Sequence, residues 1–324
     1  MNLPIVFIHK GYSSYMEYSL RQAAYTNPDS EIILLGDESN VCFDFVTHVD
    51  MKNYFRRAGE FTKIYRHYST NPYGYELFCF QRWLILEDYL LDRGCEEVFV
   101  CDSDVMLYSN ITGLMASDYP DIDAGVMFGV SEEYVSVSLS YWKTEYLKCF
   151  NECILNTYKD ENFMKDLEKS WHEIIAEKKV GAISDMTISE HFYHKYRNRI
   201  KIVSLVETRN GSFFDININL QENFYPEEYQ MRFGKKKLLW ENKIPYGYSL
   251  MQKKFIRFNC IHCQGPAKFS VSQYYTGEYF KGKFMLDLKF AFLNFLAFWY
   301  QALRIRYRFA FLFNIIFKKQ GKIS

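Results

Sequence analysis

Between Pro4 and Asp104 the chain alternates short apolar runs with longer helical stretches, and a turn-forming or acidic residue closes each run. Pro4 to His9 opens onto Lys-Gly-Tyr-Ser-Ser, and the helical stretch from about Ser14 to Tyr25 stops at Asn27-Pro28-Asp29. Glu31 to Leu35 is the second run, closed by Gly36-Asp37. Phe43 to Val49 is the third and leads into a polar helical stretch through Arg66. Glu76 to Leu91 reads as a strongly apolar helix ended by Asp92-Arg93-Gly94, with the glycine where a helix C-terminus favours one. Glu97 to Cys101 is then a strand that stops at Asp102. Strands apolar on both sides and separated by helices dictate an α/β fold, a mostly parallel sheet with helical cover. Such sheets bind ligands beyond the carboxyl ends of their strands. That rule singles out His9, Lys10, Gly11 and Tyr12, then Asp37, then the segment from Asp102.

The second half is less regular: a strand at Ala124 to Val130, helices around Tyr141 to Tyr158 and Phe163 to Lys178, and strand-like pieces beyond Lys201. No internal repeat interrupts the 324 residues, enough for one large catalytic domain with an appendage. A composition 48 % hydrophobic and 24 % charged excludes a disordered chain, and equal numbers of acids and bases (39 each) exclude the overall basic excess of a nucleic-acid binder. The balance conceals an asymmetry. From Lys281 onward nine basic residues face the single acid Asp287, so this stretch carries +8 and the body −8. We therefore divide the chain into a domain at 1–280 and an appendage at 281–324.

Three groups of residues point to chemistry. Asp102-Ser103-Asp104 sits at the exposed end of a buried strand, where two carboxylates repel unless a cation lies between them. Oxygen ligands of this kind suit Mg²⁺ or Mn²⁺ beside substrate phosphates. Chance alone supplies roughly 0.8 Asp-x-Asp pairs in such a chain. The second one, Asp121-Ile122-Asp123, follows Tyr119-Pro120 at the opposite end of a strand and reads as turn chemistry. His262-Cys263-Gln264-Gly265-Pro266-Ala267-Lys268 is rarer, expected about 0.04 times by chance. Its imidazole can ligate a metal, its Gly lets the backbone come close to a diphosphate, and its Lys offers charge and donors to phosphate oxygens. Arg82, flanked on its helix by Phe78, Cys79, Ile85 and Leu86, needs an anionic partner, whether a structural carboxylate or a ligand.

In chain order, a helix carrying Arg82, a strand ending in Asp102-Ser103-Asp104 and a late His262-x-x-Gly265-x-x-Lys268 resemble the GT-A glycosyltransferases, most closely the retaining enzymes of family eight and their bacterial capsule and lipopolysaccharide relatives. The resemblance covers roughly Pro4 to Lys268 and implies a Rossmann-like GT-A sheet. It implies that Asp102, Asp104 and His262 hold manganese or magnesium, with Lys268 on the donor diphosphate and Ser103 and Gly265 among the donor-binding residues. Arg82 would face the donor, and His9 to Tyr12 with Asp37 would border the nucleoside. The family's Asn-x-Gly-Val segment is replaced here by Asp123-Ala124-Gly125-Val126, and its Asp-Gln pair by Asp185-Met186 in Ser184-Asp185-Met186-Thr187. Asp185 can bind donor hydroxyls as the family's Asp does, whereas Met186 cannot supply an amide. The implied activity is hexose transfer from a nucleotide sugar, a uridine diphosphate sugar first, to a glycan or lipid-linked acceptor in surface polysaccharide synthesis, with retention. Two alternatives stand beside it. A phosphatase of the haloacid-dehalogenase type would use Asp102 as nucleophile and Asp104 as acid/base, although such chains place that strand first and need a later acidic pair. A glycan-binding relative without catalysis is the other.

The appendage is rich in aromatic residues, and its longest uncharged run, Phe290 to Leu303, is too short to span a bilayer before Arg304, Arg306 and Arg308 interrupt it. Basic and aromatic residues in this order fit helices lying on an anionic membrane surface, with a core or homodimer helix as the alternative. The opening residues read as a strand rather than a signal peptide. Eight cysteines lie mostly in apolar runs, and the lone Cys260-x-x-Cys263 lacks a second pair for zinc. The expected location is cytoplasmic, peripheral on the inner face of the cell membrane.

Overall fold

The structure, a computed structural model, describes residues 2–178 and 180–303. Its strands in chain order are β1 (Ile5–Ile8), β2 (Ile32–Gly36), β3 (Thr47–Asp50), β4 (Glu97–Cys101), β5 (Val105–Leu107), β6 (Ala124–Phe128), β7 (Val135–Lys143), β8 (Ile202–Ser204), β9 (Ser212–Phe214), β10 (Met231–Arg232), β11 (Lys235–Lys236), β12 (Leu238–Glu241), β13 (Ile244–Ser249) and β14 (Lys254–His262). The helices are α1 (Met16–Thr26), α2 (Arg56–Phe61), α3 (Tyr73–Arg93), α4 (Ile111–Asp118), α5 (Thr144–Lys159), α6 (Glu161–Lys178), α7 (Asp185–Tyr196), α8 (Val271–Tyr274) and α9 (Lys283–Leu303).

Seven strands form the central sheet in the order β3-β2-β1-β4-β7-β6-β8. β7 pairs antiparallel to both β4 and β6, while the other pairings are parallel, so one strand is reversed in a mostly parallel sheet. Strand periodicity explains why the runs are apolar throughout. Val6, Ile8, Ile33, Leu35, Val98 and Val100 point into one core, and the alternate residues Ile5, Phe7, Ile32, Leu34, Phe99 and Cys101 point into another. The first core is closed by α3, α5 and α7 through Phe80, Trp83, Phe150 and Phe192, the second by α1 and α4 through Leu20 and Ile111. Each such aromatic or aliphatic side chain removed from water contributes about 1.5–3 kcal/mol. α3 ends as expected at Gly94, whose φ of +62° is left-handed.

The sequence expectations differ from the structure in several places; the helical stretch expected through Arg66 is α-helix only at Arg56–Phe61, and the strand expected to Val130 ends at Phe128. Tyr141 to Lys143 close strand β7 instead of opening a helix, because Tyr141 and Trp142 alternate between the two cores; α5 starts only at Thr144. Of Phe43 to Val49, only Thr47 onward is strand; Phe43 is buried among core side chains without strand pairing. A second sheet, β12-β13-β14-β5 with β9 beside β14, was read only as unspecified strand-like pieces, and α7 was not foreseen. α9 lays Phe290 and Leu293 on a third core around Tyr18, whose hydroxyl donates to Asp287 at 2.6 Å. Arg304, Arg306 and Arg308 lie outside the described residues, as does the rest of the basic stretch after them. Among the described residues no helix is long and apolar enough to cross a membrane.

Candidate functional site

β4 delivers Asp102 and Asp104 at its carboxyl end, as the strand pattern required. β5 continues directly from this turn and pairs antiparallel with the end of β14, setting Val105 opposite His262. The Cys263 amide donates to the Asp104 carbonyl at 2.9 Å and fixes the register. One ligand atom each from Asp102, Asp104 and His262 consequently lies within 4.8 Å of the others. Asp104 is buried, and its carboxylate meets His262 Nε2 at 3.4 Å and Lys268 Nζ at 3.2 Å.

Two carboxylates and an imidazole are ligands that a divalent cation can take, and the spacing of the three groups fits one shared ion. Electrostatics agree. Burial pushes the His262 imidazole down, but Asp104 and then Asp102 outweigh it and raise its pKa to about 9. Burial likewise pushes the Asp104 carboxyl up, and His262 with Lys268 overcomes that and holds it below the usual range. The site has gathered cations around acids that want one. The ring is aimed by its other nitrogen, His262 Nδ1, 2.8 Å from the Ile216 carbonyl.

Arg82 answers its predicted need with two carboxylates. Its guanidinium donates to Asp102 Oδ1 and, at 2.8 Å, to Asp185 Oδ2. Asp185 also accepts from Trp83 Nε1 at 3.0 Å and stands in the first turn of α7, where Ser184 caps the Met186 amide. Arg82 thus ties the Asp-x-Asp turn to the Asp185 turn through a planar, two-pronged group.

At the end of β1, Gly11 takes φ +84° and donates its amide to Asp37 Oδ2 at 2.7 Å. That backbone favours glycine, and it closes the β1 loop on the β2 loop. Tyr12 is exposed and stacks on Phe43 with centroids 5.8 Å apart; Lys10 is exposed beside it. His9 Nδ1 lies 2.9 Å from Ser103 Oγ, which Tyr15 also reaches. Gly265 has φ +60°, and a Cβ there would meet nothing within 4 Å, so conformation rather than crowding calls for glycine. The four segments named from sequence, 9–12 with Asp37, 102–104, 262–268 and Arg82 with Asp185, adjoin one another.

Sequence reasoning missed the support behind the histidine. Asp215, fully buried, accepts the His262 amide at 3.1 Å and pairs with the equally buried Lys236. The only signal was an acid at the end of the apolar run Ser212-Phe-Phe-Asp215. Also missed was a cavity of about 200 Å³ beside His262, lined by Ser136, Ser138, Asn217 and Gln264. Cys260 and Cys263 are both buried free thiols in different cores. Asp121 sits in a turn at φ +57°, as its placement predicted, and Asp123 pairs with Lys143 at 2.9 Å.

No protein-family model and no curated protein matches the chain. Among solved structures it is similar to the bifunctional glycosyltransferase WbbM (10% identity, 88% of this chain and 51% of that one, TM-score 0.44). It is also similar to mouse xyloside xylosyltransferase 1 (8% identity, 63% and 84% covered, TM-score 0.40). A third is the galactosyltransferase LgtC in complex with donor and acceptor sugar analogues (16% identity, 65% and 76% covered, TM-score 0.38). These likenesses are ones of fold.

Proposed function

We propose that the chain is a metal-dependent glycosyltransferase of the GT-A type, moving a hexose from a uridine diphosphate sugar to a hydroxyl of a glycan or lipid-linked acceptor, with retention. The observation that carries this reading is the convergence of Asp102, Asp104 and His262 within 4.8 Å, with Lys268 on the same carboxylate. A bound divalent cation would supply Lewis-acid stabilisation of the departing diphosphate. Lys268 adds a fixed positive charge where negative charge grows on the leaving group. In this reading Asp37, which accepts the Gly11 amide, also takes ribose hydroxyls, and Tyr12 is a platform for the base. In this reading Asp185, oriented by Arg82 and Trp83, binds hydroxyls of the transferred sugar, and the cavity beside His262 would admit the acceptor.

A donor screen with manganese, scored by nucleotide release with and without glycan acceptors, tests this. Release from one uridine diphosphate sugar that Asp102→Asn abolishes supports it. The phosphatase alternative fits less well, since the Asp102 oxygen nearest Arg82 is engaged in an ion pair rather than free to attack. It predicts phosphate release from phosphomonoesters, and the glycan-binding alternative predicts sugar binding with no turnover.

The appendage supports the peripheral membrane location that this reading, a role in surface polysaccharide synthesis at the inner face, calls for. Phe284, Met285, Leu288, Phe292 and Phe295 make an exposed apolar stripe along α9, opposite the buried Phe290 and Leu293. The sequence beyond it adds Arg304, Arg306 and Arg308. We assign this stripe to an anionic lipid surface in preference to a second copy of the chain, because the sequence from Lys281 onward carries nine basic residues against one acid.

A further inference from the structure

On the far side of the loop that carries Gly265 and Lys268 lies a second, larger cavity of about 550 Å³, within the range of small-ligand pockets. Pro266 and Ala267 form one wall and the β10–β11 hairpin the other. Its lining includes Arg232, Lys235 and Lys237, and no acidic residue. Lys236, also in the lining, spends its charge inward on Asp215. Among the described residues none of the other three cations pairs with a carboxylate. Lys235 is half-buried with Ser270 Oγ as its partner, and burial lowers its pKa, the mark of a cation held without a counter-ion. Trp240 and Tyr274 supply aromatic surface. The Trp240 ring meets Tyr108 edge-on at 5.6 Å, and the Tyr108 hydroxyl donates to the Tyr274 carbonyl at 2.7 Å, so both residues are held by one buried side chain.

We propose that this cavity is a binding site for a sugar carrying an oxyanion, a carboxylate or a phosphate. Arg232, Lys235 and Lys237 take the oxygens through charge-assisted hydrogen bonds, and the apolar face of the sugar ring lies on Trp240 and Tyr274. The proposal rests on this cavity alone and not on the reaction assigned to the neighbouring site.

Calorimetric titration of the full chain with glucuronic acid, glucose 6-phosphate, glucose and inorganic phosphate tests it. We expect at least one of the two charged sugars to bind about tenfold or more tightly than both glucose and inorganic phosphate. Its affinity should fall about tenfold in the double variant Arg232→Gln/Lys237→Gln and in Trp240→Ala, while Asp102→Asn leaves it unchanged. Arg232 and Lys237 are exposed, so that double variant keeps the fold, to be verified by circular dichroism. Failure of both charged sugars to bind, equal binding of glucose or of inorganic phosphate, or unchanged affinity in the Arg232→Gln/Lys237→Gln variant would overturn the proposal.

Discussion

Val105 stands opposite His262 in the antiparallel ladder between β5 and β14, and this single register brings an imidazole beside a carboxylate pair remote from it in sequence. A shift of one residue would turn the His262 side chain to the other face of its strand.

The imidazole carries a consequence for metal binding. With a pKa raised to about 9 by the nearby carboxylates against the pull of burial, His262 holds its proton at neutral pH until a cation arrives. Manganese binding should therefore release about one proton per site. Calorimetry in buffers of different ionisation enthalpy measures this number, and it should drop towards zero in His262→Gln.

Arg82 links Asp102 and Asp185, and a lysine cannot hold both carboxylates from one point charge. Arg82→Lys should lower the turnover rate about a hundredfold through misplacement of the two acids. Nucleotide release under saturating donor checks it.

Removing the cation of the buried Asp215–Lys236 pair leaves a carboxylate in the core without a counter-charge. Lys236→Met should cost about 3–5 kcal/mol in urea unfolding. Asp215→Asn added to Lys236→Met should recover part of that loss, because no buried charge then remains.

His9 makes the pH dependence of stability readable. Burial, helped by Lys268, pulls its pKa from 6.5 to about 4, so the folded state keeps the ring neutral where the unfolded chain would protonate it. Its contribution is complete above pH 6.5 and is lost as pH falls through about 4. The stability difference between the wild type and His9→Gln should shrink over that window in denaturant titrations.

The α9 stripe predicts that Phe284→Ser/Phe292→Ser, at two side chains 64% and 59% exposed, reduces co-sedimentation with phosphatidylglycerol vesicles several-fold. Equal binding of the wild type to neutral vesicles would count against the anionic surface.

The parallel half of the sheet was legible because its strands, buried on both sides, leave uninterrupted apolar runs in the sequence. The Asp-x-Asp turn and the His262 to Lys268 loop were legible as residue types whose chemistry needs a partner. What the sequence hid was long-range pairing. Nothing local in Val105 to Leu107, three apolar residues between two loops, says that they pair with β14 and not with a neighbour. Asp215 and Lys236 were hidden for the same reason: each reads as an ordinary polar residue until the fold buries both and joins them. Tyr141 and Trp142 misled because aromatic residues fit helix and strand patterns alike over so few positions.

The central claim is that Asp102, Asp104 and His262 share one divalent ion. Electron paramagnetic resonance of manganese titrated into the protein with uridine diphosphate measures this directly. One site is expected, with affinity about 10- to 100-fold weaker in Asp104→Asn and in His262→Ala, each verified as folded. Wild-type affinity in His262→Ala would contradict it.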